Sequence, residues 1–299
     1  MTIYDRSTGT CFTEQEYGGG LLRFLYGSVP GRILLRTVAA APWFSRLRAR
    51  YQKSSRSAKD VIPFAEQYGV DLTAWDGTHF RSFNDFFTRQ LPEPFSPPED
   101  PDVFPSVAEA RLSLYAIEED LTVPIKETVY TLAELTGDRG TGDGPDLSVF
   151  AGGTCLVFRL AVSDYHRYLY PDDGELVSSV HLPGQLHTVR PIAAKHRVYA
   201  RNTRDVSVLK TDHFGTVLMA EVGAMLVGHI VNHPLPGARR FTALSEKGLF
   251  EFGGSTIVVL TGPDVRFDDD LWRETALGRE VKVKPGEPLG KRLPDSDCK

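Results

Sequence analysis

The chain has 299 residues, a net charge of −5, 41 % hydrophobic and 24 % charged residues, the profile of an ordinary globular protein. Cys11, Cys155 and Cys298 are too few and too scattered for a disulfide framework or a zinc site, which fits a reducing interior. Met1 to Gly20 lacks the apolar core of a signal peptide, and no run of about 18 apolar residues is present to span a bilayer.

Between Tyr17 and Lys59 there is no acidic residue. The same stretch carries Arg23, Arg32, Arg36, Arg46, Arg48, Arg50, Lys53, Arg56 and Lys59, interleaved with Leu22, Phe24, Ile33, Trp43 and other bulky apolar residues. Basic and apolar side chains mixed in this way describe a helix lying in the interface of an anionic membrane. A basic helix packed on the protein's own core gives the same pattern. Nucleic acid is not expected, because the remainder of the chain is acidic and no nucleic-acid module is recognisable.

Residues 20 to 91 read mainly as helix. Ser82 followed by Asp85 is a capping-box start, after which Phe83, Phe86 and Phe87 fall on one face and read as core. Prolines 92, 94, 97, 98, 101 and 105 make a connector with little helix or central strand. From Leu112 the pattern changes to short strands: Cys155 to Val162, Leu176 to Leu182, Val206 to Leu209, Thr216 to Val222 and Thr256 to Leu260. Thr136 to Asp146, rich in Gly and Asp, reads as an exposed loop. The expected fold is α+β, with a helical region (1–91), a connector (92–111) and a β-rich domain (112–299).

Glu251-Phe252-Gly253-Gly254-Ser255-Thr256 runs into the apolar stretch Ile257 to Leu260. Here a backbone can be cut. The Ser255 hydroxyl attacks the Gly254 carbonyl, the acyl group shifts from nitrogen to oxygen, and elimination leaves dehydroalanine, which hydrolyses to a pyruvoyl group on residue 255. Glycines suit such a site because they tolerate unusual dihedrals and close approach. The same letters also describe a simple turn. His166, in Asp164-Tyr165-His166-Arg167, has a ring suited to take the serine proton or to make structural hydrogen bonds. His187 and His213 are secondary candidates. Arg167, Arg201 and Arg204 offer forks for phosphate or carboxylate, or for structural ion pairs. Gly223 and Gly228 are read as allowing close packing around the site. His229 and His233 are four apart without a metalloprotease context, so no metal is expected.

Taken in order, Phe83-Asn84-Asp85-Phe86-Phe87-Thr88-Arg89, Asp164-Tyr165-His166-Arg167-Tyr168, Gly184-Gln185-Leu186-His187-Thr188-Val189, Asn202-Thr203-Arg204, Val222-Gly223-Ala224 to Val227-Gly228, and Lys247-Gly248 leading to Gly253-Gly254-Ser255-Thr256 resemble the phosphatidylserine decarboxylase family over roughly residues 20 to 290. The resemblance implies a proenzyme cut between Gly254 and Ser255 into a β chain (1–254) and an α chain (255–299). It implies a pyruvoyl cofactor made from Ser255, the electron sink that pyridoxal phosphate supplies elsewhere. Glu109 stands where the family has an aspartate, and Leu169 where many members have a second histidine. The relay expected here is therefore Glu109, His166 and Ser255, with Glu109 orienting His166. Phosphatidylserine and an anionic membrane surface are the implied partners, at the cytoplasmic face as a peripheral protein, with the two cleaved chains held together; a homodimer is left open. Two other readings stand beside this one: decarboxylation of a free, for example aromatic, amino acid on the same scaffold, and an uncleaved, non-catalytic lipid-binding protein.

Overall fold

The computed structural model describes residues 1–14, 19–35, 42–126, 128–138, 144–189, 191–225, 229–235, 237, 239–253 and 255–294, and of residues 42–46, 191, 194 and 195 it describes the backbone alone. Gly254, Val227, Gly228, Arg36, Cys298 and the side chain of Trp43, all singled out above, lie outside the described set.

A ten-stranded sheet forms the centre. Its spatial order is Arg240–Phe241, Gly174–Leu182, Arg204–Thr211, Thr216–Gly223, Ser255–Thr261, Thr154–Leu160, Ala110–Ala116, Glu280–Val283, Thr2–Asp5, Thr10–Thr13. Neighbours are antiparallel except Thr2–Asp5, which runs parallel to Glu280–Val283. With about 26 % helix and 35 % strand the fold is α+β and mainly β. The predicted strands appear with their ends moved by one or a few residues.

Both Ser255–Thr261 and Thr154–Leu160 are buried along their whole length. Side chains alternate across a strand, so a sheet covered on both faces needs apolar residues at every position. One face carries Leu156, Phe158, Ile257 and Val259; the other carries Cys155, Val157, Val258 and Leu260. The first cluster continues into two small three-stranded sheets, and the second is covered by Leu25, Tyr26 and Leu35 from the N-terminal helices.

A third cluster joins those helices to the catalytic candidate. Val61, Phe64, Phe83, Phe86 and Phe87 pack around Phe252. The helix Phe83–Phe87 starts as its sequence predicts, with Ser82 Oγ accepting the Asp85 N–H at 3.1 Å. The reciprocal half of the box is diverted: Asp85 accepts from the Arg81 N–H at 2.9 Å.

The extreme N-terminus departs from the helical expectation. Thr2–Asp5 and Thr10–Thr13 are strands at the sheet's edge, followed by Glu14. Arg6 fastens this hairpin to the C-terminal part of the chain through Asp268 at 2.8 Å and Asp270 at 2.9 Å. Glu14 reaches under the sheet and bridges two buried arginines, Arg111 at 3.1 Å and Arg159 at 2.8 Å. Arg159 also pairs with Glu280 at 2.6 Å and Arg111 with Asp164 at 3.0 Å. Removing one member of a buried ion pair strands its partner without solvent. Glu14→Gln is therefore expected to cost about 3–5 kcal/mol in urea unfolding, whereas Glu175→Gln, on an exposed pair, should cost less than about 1 kcal/mol.

Candidate active site

Ser255 opens the central strand. Its backbone pairs with Gly223 on one side and Leu160 on the other. The hydroxyl is fully buried and has no hydrogen-bond partner among the described residues, as is also true of Thr256 and Thr261 on the same strand. Buried hydroxyls normally find one; without it, Ser255 Oγ is free of any bond that would hold it back from the adjoining carbonyl. The approach to Ser255 is fixed from several directions. Phe252 packs edge-on against Phe83 and Phe87, each with ring centres 5.1 Å away. The Phe252 N–H donates to Asn84 Oδ1 at 3.2 Å, and Glu251 pairs with Lys53 at 2.7 Å. Gly253 takes φ 142°, a conformation open to glycine because it has no Cβ.

His166 lies just before the short strand Arg167–Leu169, and its carbonyl accepts the Phe250 N–H at 2.9 Å. The ring is completely buried under Phe87, with centroids 4.0 Å apart. Nδ1 sits 2.8 Å from the Asp164 carbonyl oxygen. A carbonyl only accepts, so Nδ1 carries the proton and Nε2 keeps its lone pair. Like Ser255 Oγ, Nε2 is buried with no hydrogen-bond partner among the described residues. Burial pulls the ring down to about 3, with the Arg89 charge acting in the same direction and the Asp164 carbonyl opposing. The imidazole is thus held neutral, with its accepting nitrogen unspent. No hydrogen bond joins Nε2 to Ser255 Oγ among the described residues; the two atoms stand on segments laced together by the Phe250–His166 bond.

Glu109 does not take the place expected of it. Its Oε2 accepts the backbone N–H of Tyr165 at 3.0 Å, and the partner of His166 Nδ1 is the Asp164 carbonyl. The turn 161–166 presents its backbone, not the ring, to Glu109. Asp164 itself is gripped by both oxygens, 3.0 and 3.1 Å from Arg111 Nη1, with a further bond from the Ala161 N–H at 2.8 Å. Burial pushes this carboxyl up to about 7, Arg111 pulls it down, and the neighbouring Glu109 and Glu14 raise it again. Leu169, where a second histidine was looked for, is buried.

Sequence reasoning missed a second polar group on this face. Glu221 pairs with Ile257 and Gly223 with Ser255, and residues two apart share a face, so Glu221 lies one step along the sheet from the serine. It is fully buried beside Lys247, whose Nζ is 3.0 Å from Glu221 Oε1 and donates to Asn232 Oδ1 at 2.7 Å. A lone acid in the apolar run Val217 to Val222 was the available signal. Gly223 leaves room: an added Cβ would stand 3.2 Å from Leu186.

The other candidates either make contacts within the fold or face solvent. Arg167 is spent on Glu246 at 2.6 Å and on the carbonyls of Thr88 and Arg89. Arg204 donates to four backbone carbonyls, those of Leu135, Ala200, Asn202 and Glu134. Arg201 is exposed. His187 bonds Tyr26 and Gln185, His213 bonds Asp172, and His233 bonds Glu246. His229 is exposed.

Since the folded His166 binds its proton far more weakly than an unfolded histidine, its burial in the neutral form stabilises the fold above about pH 6.5, and that contribution is lost as pH falls toward 3. Imidazole nitrogen NMR should show His166 as the neutral Nδ1–H tautomer at pH 5; a titration of His166 near 6.5 would contradict the buried geometry.

A sequence profile described as phosphatidylserine decarboxylase matches residues 83–291. The chain is 40 % identical over 295 residues to the phosphatidylserine decarboxylase proenzyme 2 of Clostridium acetobutylicum, covering 97 % of this chain and 98 % of that protein. It is 35 % identical to the phosphatidylserine decarboxylase proenzyme of Ruminiclostridium cellulolyticum, covering 97 % of each, and 34 % identical to that of Clostridium perfringens strain ATCC 13124, covering 98 % and 100 %.

Proposed function

The chain belongs to the phosphatidylserine decarboxylase family, and on that premise we propose that it is made as a proenzyme, cuts itself between Gly254 and Ser255, and converts phosphatidylserine to phosphatidylethanolamine and carbon dioxide. The observation that carries this reading is the buried Ser255 hydroxyl at the head of the central strand, which like the buried His166 Nε2 has no hydrogen-bond partner among the described residues.

A pyruvoyl group made from Ser255 fits these surroundings: its precursor oxygen has no bond to give up, and the strand holds its backbone on both sides. That group supplies the electron sink for the carbanion that decarboxylation leaves. The rest falls to the chain's own residues. His166 Nε2 accepts the Ser255 proton, its tautomer set by the Asp164 carbonyl. Arg111 and the Ala161 N–H fix Asp164, and Glu109 fixes the next amide. Glu109 is thereby a positioning residue that acts through the backbone of Tyr165. The Phe87 ring keeps water from the imidazole.

The N-terminal helices supply a reason to favour a lipid over a free amino acid. Leu21, Phe24, Ile33, Leu34 and Leu47 are exposed, beside exposed Arg23, Arg32 and Arg48. Leu22, expected in this set, is half-buried against the core. No helix among the described residues is long and apolar enough to cross a membrane, so the face is read as lying in an anionic interface, with the protein peripheral at the cytoplasmic leaflet.

Intact mass spectrometry of the denatured protein tests the cut. Two pieces divided after residue 254, the smaller lighter by about one ammonia than a serine-started peptide, are expected. Ser255→Ala should give one uncut, inactive chain. Glu109→Gln, whose amide oxygen still accepts the Tyr165 N–H, should cut within about tenfold of the parent rate, and Glu109→Ala about 100-fold more slowly. Equal loss in both would assign Glu109 a charged role.

Vesicle flotation tests the surface. Leu21→Ser with Phe24→Ser should weaken binding to anionic vesicles by about tenfold or more, since each removes roughly 1.5–3 kcal/mol of apolar burial at full insertion. Unchanged binding would detach the membrane reading from this face.

A further inference from the structure

One charged group stays unexplained by the serine site. Arg89 is 7 % exposed, and its Nε is buried with no hydrogen-bond partner among the described residues. Among those residues Nη1 and Nη2 reach the carbonyls of Phe86 and Ser163, at 3.4 and 3.5 Å. The guanidinium stacks with the rings of Trp75, at 5.2 Å, and Phe86, at 5.0 Å. No carboxylate of the described residues comes within 4.0 Å of it. Burial accordingly pulls its pKa down, with Glu109, Tyr165 and Asp164 opposing. A largely buried cation without a counter-charge within reach is costly to the fold, and an anion bound from outside would relieve that cost.

Arg89 lines a cavity of about 620 Å³, within the roughly 300–1,000 Å³ usual for small-molecule sites. The other charges there, apart from Lys284, are committed. Asp164 holds Arg111, which also holds Glu14; Glu109 accepts the Tyr165 amide; Asp71 bonds Thr73; Lys282 holds Asp5 at 3.1 Å. Arg89 and the exposed Lys284 are the lining cations that pair with no carboxylate among the described residues. Phe12, Trp75 and Phe95 add aromatic surface.

We propose that this cavity is an oxyanion site, in which the Arg89 fork takes the phosphate or carboxylate of an amphipathic ligand and the aromatic wall covers its apolar part. Ser163, Asp164 and Tyr165 line it and lead directly into His166, so an anion on Arg89 touches the loop that sets the imidazole. On the reading that the substrate is phosphatidylserine, the anion is the lipid headgroup; an inorganic phosphate would satisfy the same chemistry.

Calorimetric titration of the full-length Ser255→Ala chain separates binding from turnover. Short-chain phosphatidylserine below its micellar concentration, glycerophosphoserine and inorganic phosphate are the probes. Saturable binding of the lipid is expected, weaker for glycerophosphoserine, reduced about tenfold or more by Arg89→Gln and less by Arg89→Lys. Lys284→Ala, at the rim, should reduce it only a few-fold. Inorganic phosphate binding as tightly as the lipid would support the oxyanion site and name free phosphate as its source. No saturable binding of any probe, or an Arg89→Gln chain of unchanged melting temperature that binds as tightly as its parent, would overturn the proposal. The outcome is distinct from that of the mass spectrum: a parent chain that stays uncut yet binds through Arg89 would remove the functional reading and leave this site standing.

Discussion

Phe252 is the side chain on which the arrangement turns. It stands three residues before Ser255, and its ring is enclosed by Phe83 and Phe87 from a helix some 165 positions earlier. Burying one phenylalanine is worth about 3–5 kcal/mol against alanine, while fixing a residue's backbone costs about 1–2 kcal/mol. A single well-packed ring can therefore hold the two or three residues that lead into the serine. The same Phe87 ring roofs His166, so one aromatic cluster sets both the approach to Ser255 and the environment of the imidazole.

A line of buried charge does the corresponding work from beneath. Asp164, Arg111, Glu14, Arg159, Glu280 and Lys126 alternate in sign, and each touches the next within 3.1 Å. Such a chain gains little net stability over apolar packing, since desolvation offsets most of the attraction. What it gives is direction. It ties the N-terminal hairpin and the C-terminal strand Glu280–Val283 to the peptide unit whose carbonyl orients His166. Electrostatics at the site are therefore fixed by residues at both ends of the chain.

The strands of the β domain were legible because each is a short, β-branched, self-contained run. Ser255 and His166 were legible for another reason: glycines before a serine and a histidine at a turn have chemical as well as structural uses. Thr2–Asp5 and Thr10–Thr13 were not. They are four residues each and mixed in polarity; Thr2–Asp5 owes its strand form to a partner 277 residues away, and Thr10–Thr13 pairs in turn with Thr2–Asp5. Glu109 was picked out by its position in a motif, but whether a carboxylate meets an imidazole or an amide depends on the turn 161–166, which no spacing rule specifies. Phe83, Phe86 and Phe87 were correctly read as core; that their core includes Phe252 was invisible, because the pairing is non-local. Arg89 was legible only as the end of the motif Phe83 to Arg89; its burial was not, since an arginine after a helix usually faces water.

The strand Ser255–Thr261 lies fifth in a sheet of ten and is covered on both faces. If the chain is divided ahead of it, the smaller product is no appendage: it supplies the middle of the sheet, and Glu280–Val283 besides. Its release would mean dismantling the whole sheet. A prosthetic group made at its head would accordingly be one that could be neither exchanged nor replenished, each molecule being armed a single time. On the proposed reading assembly comes before scission, because the paired strand that holds Ser255 exists only once the uncut chain has folded.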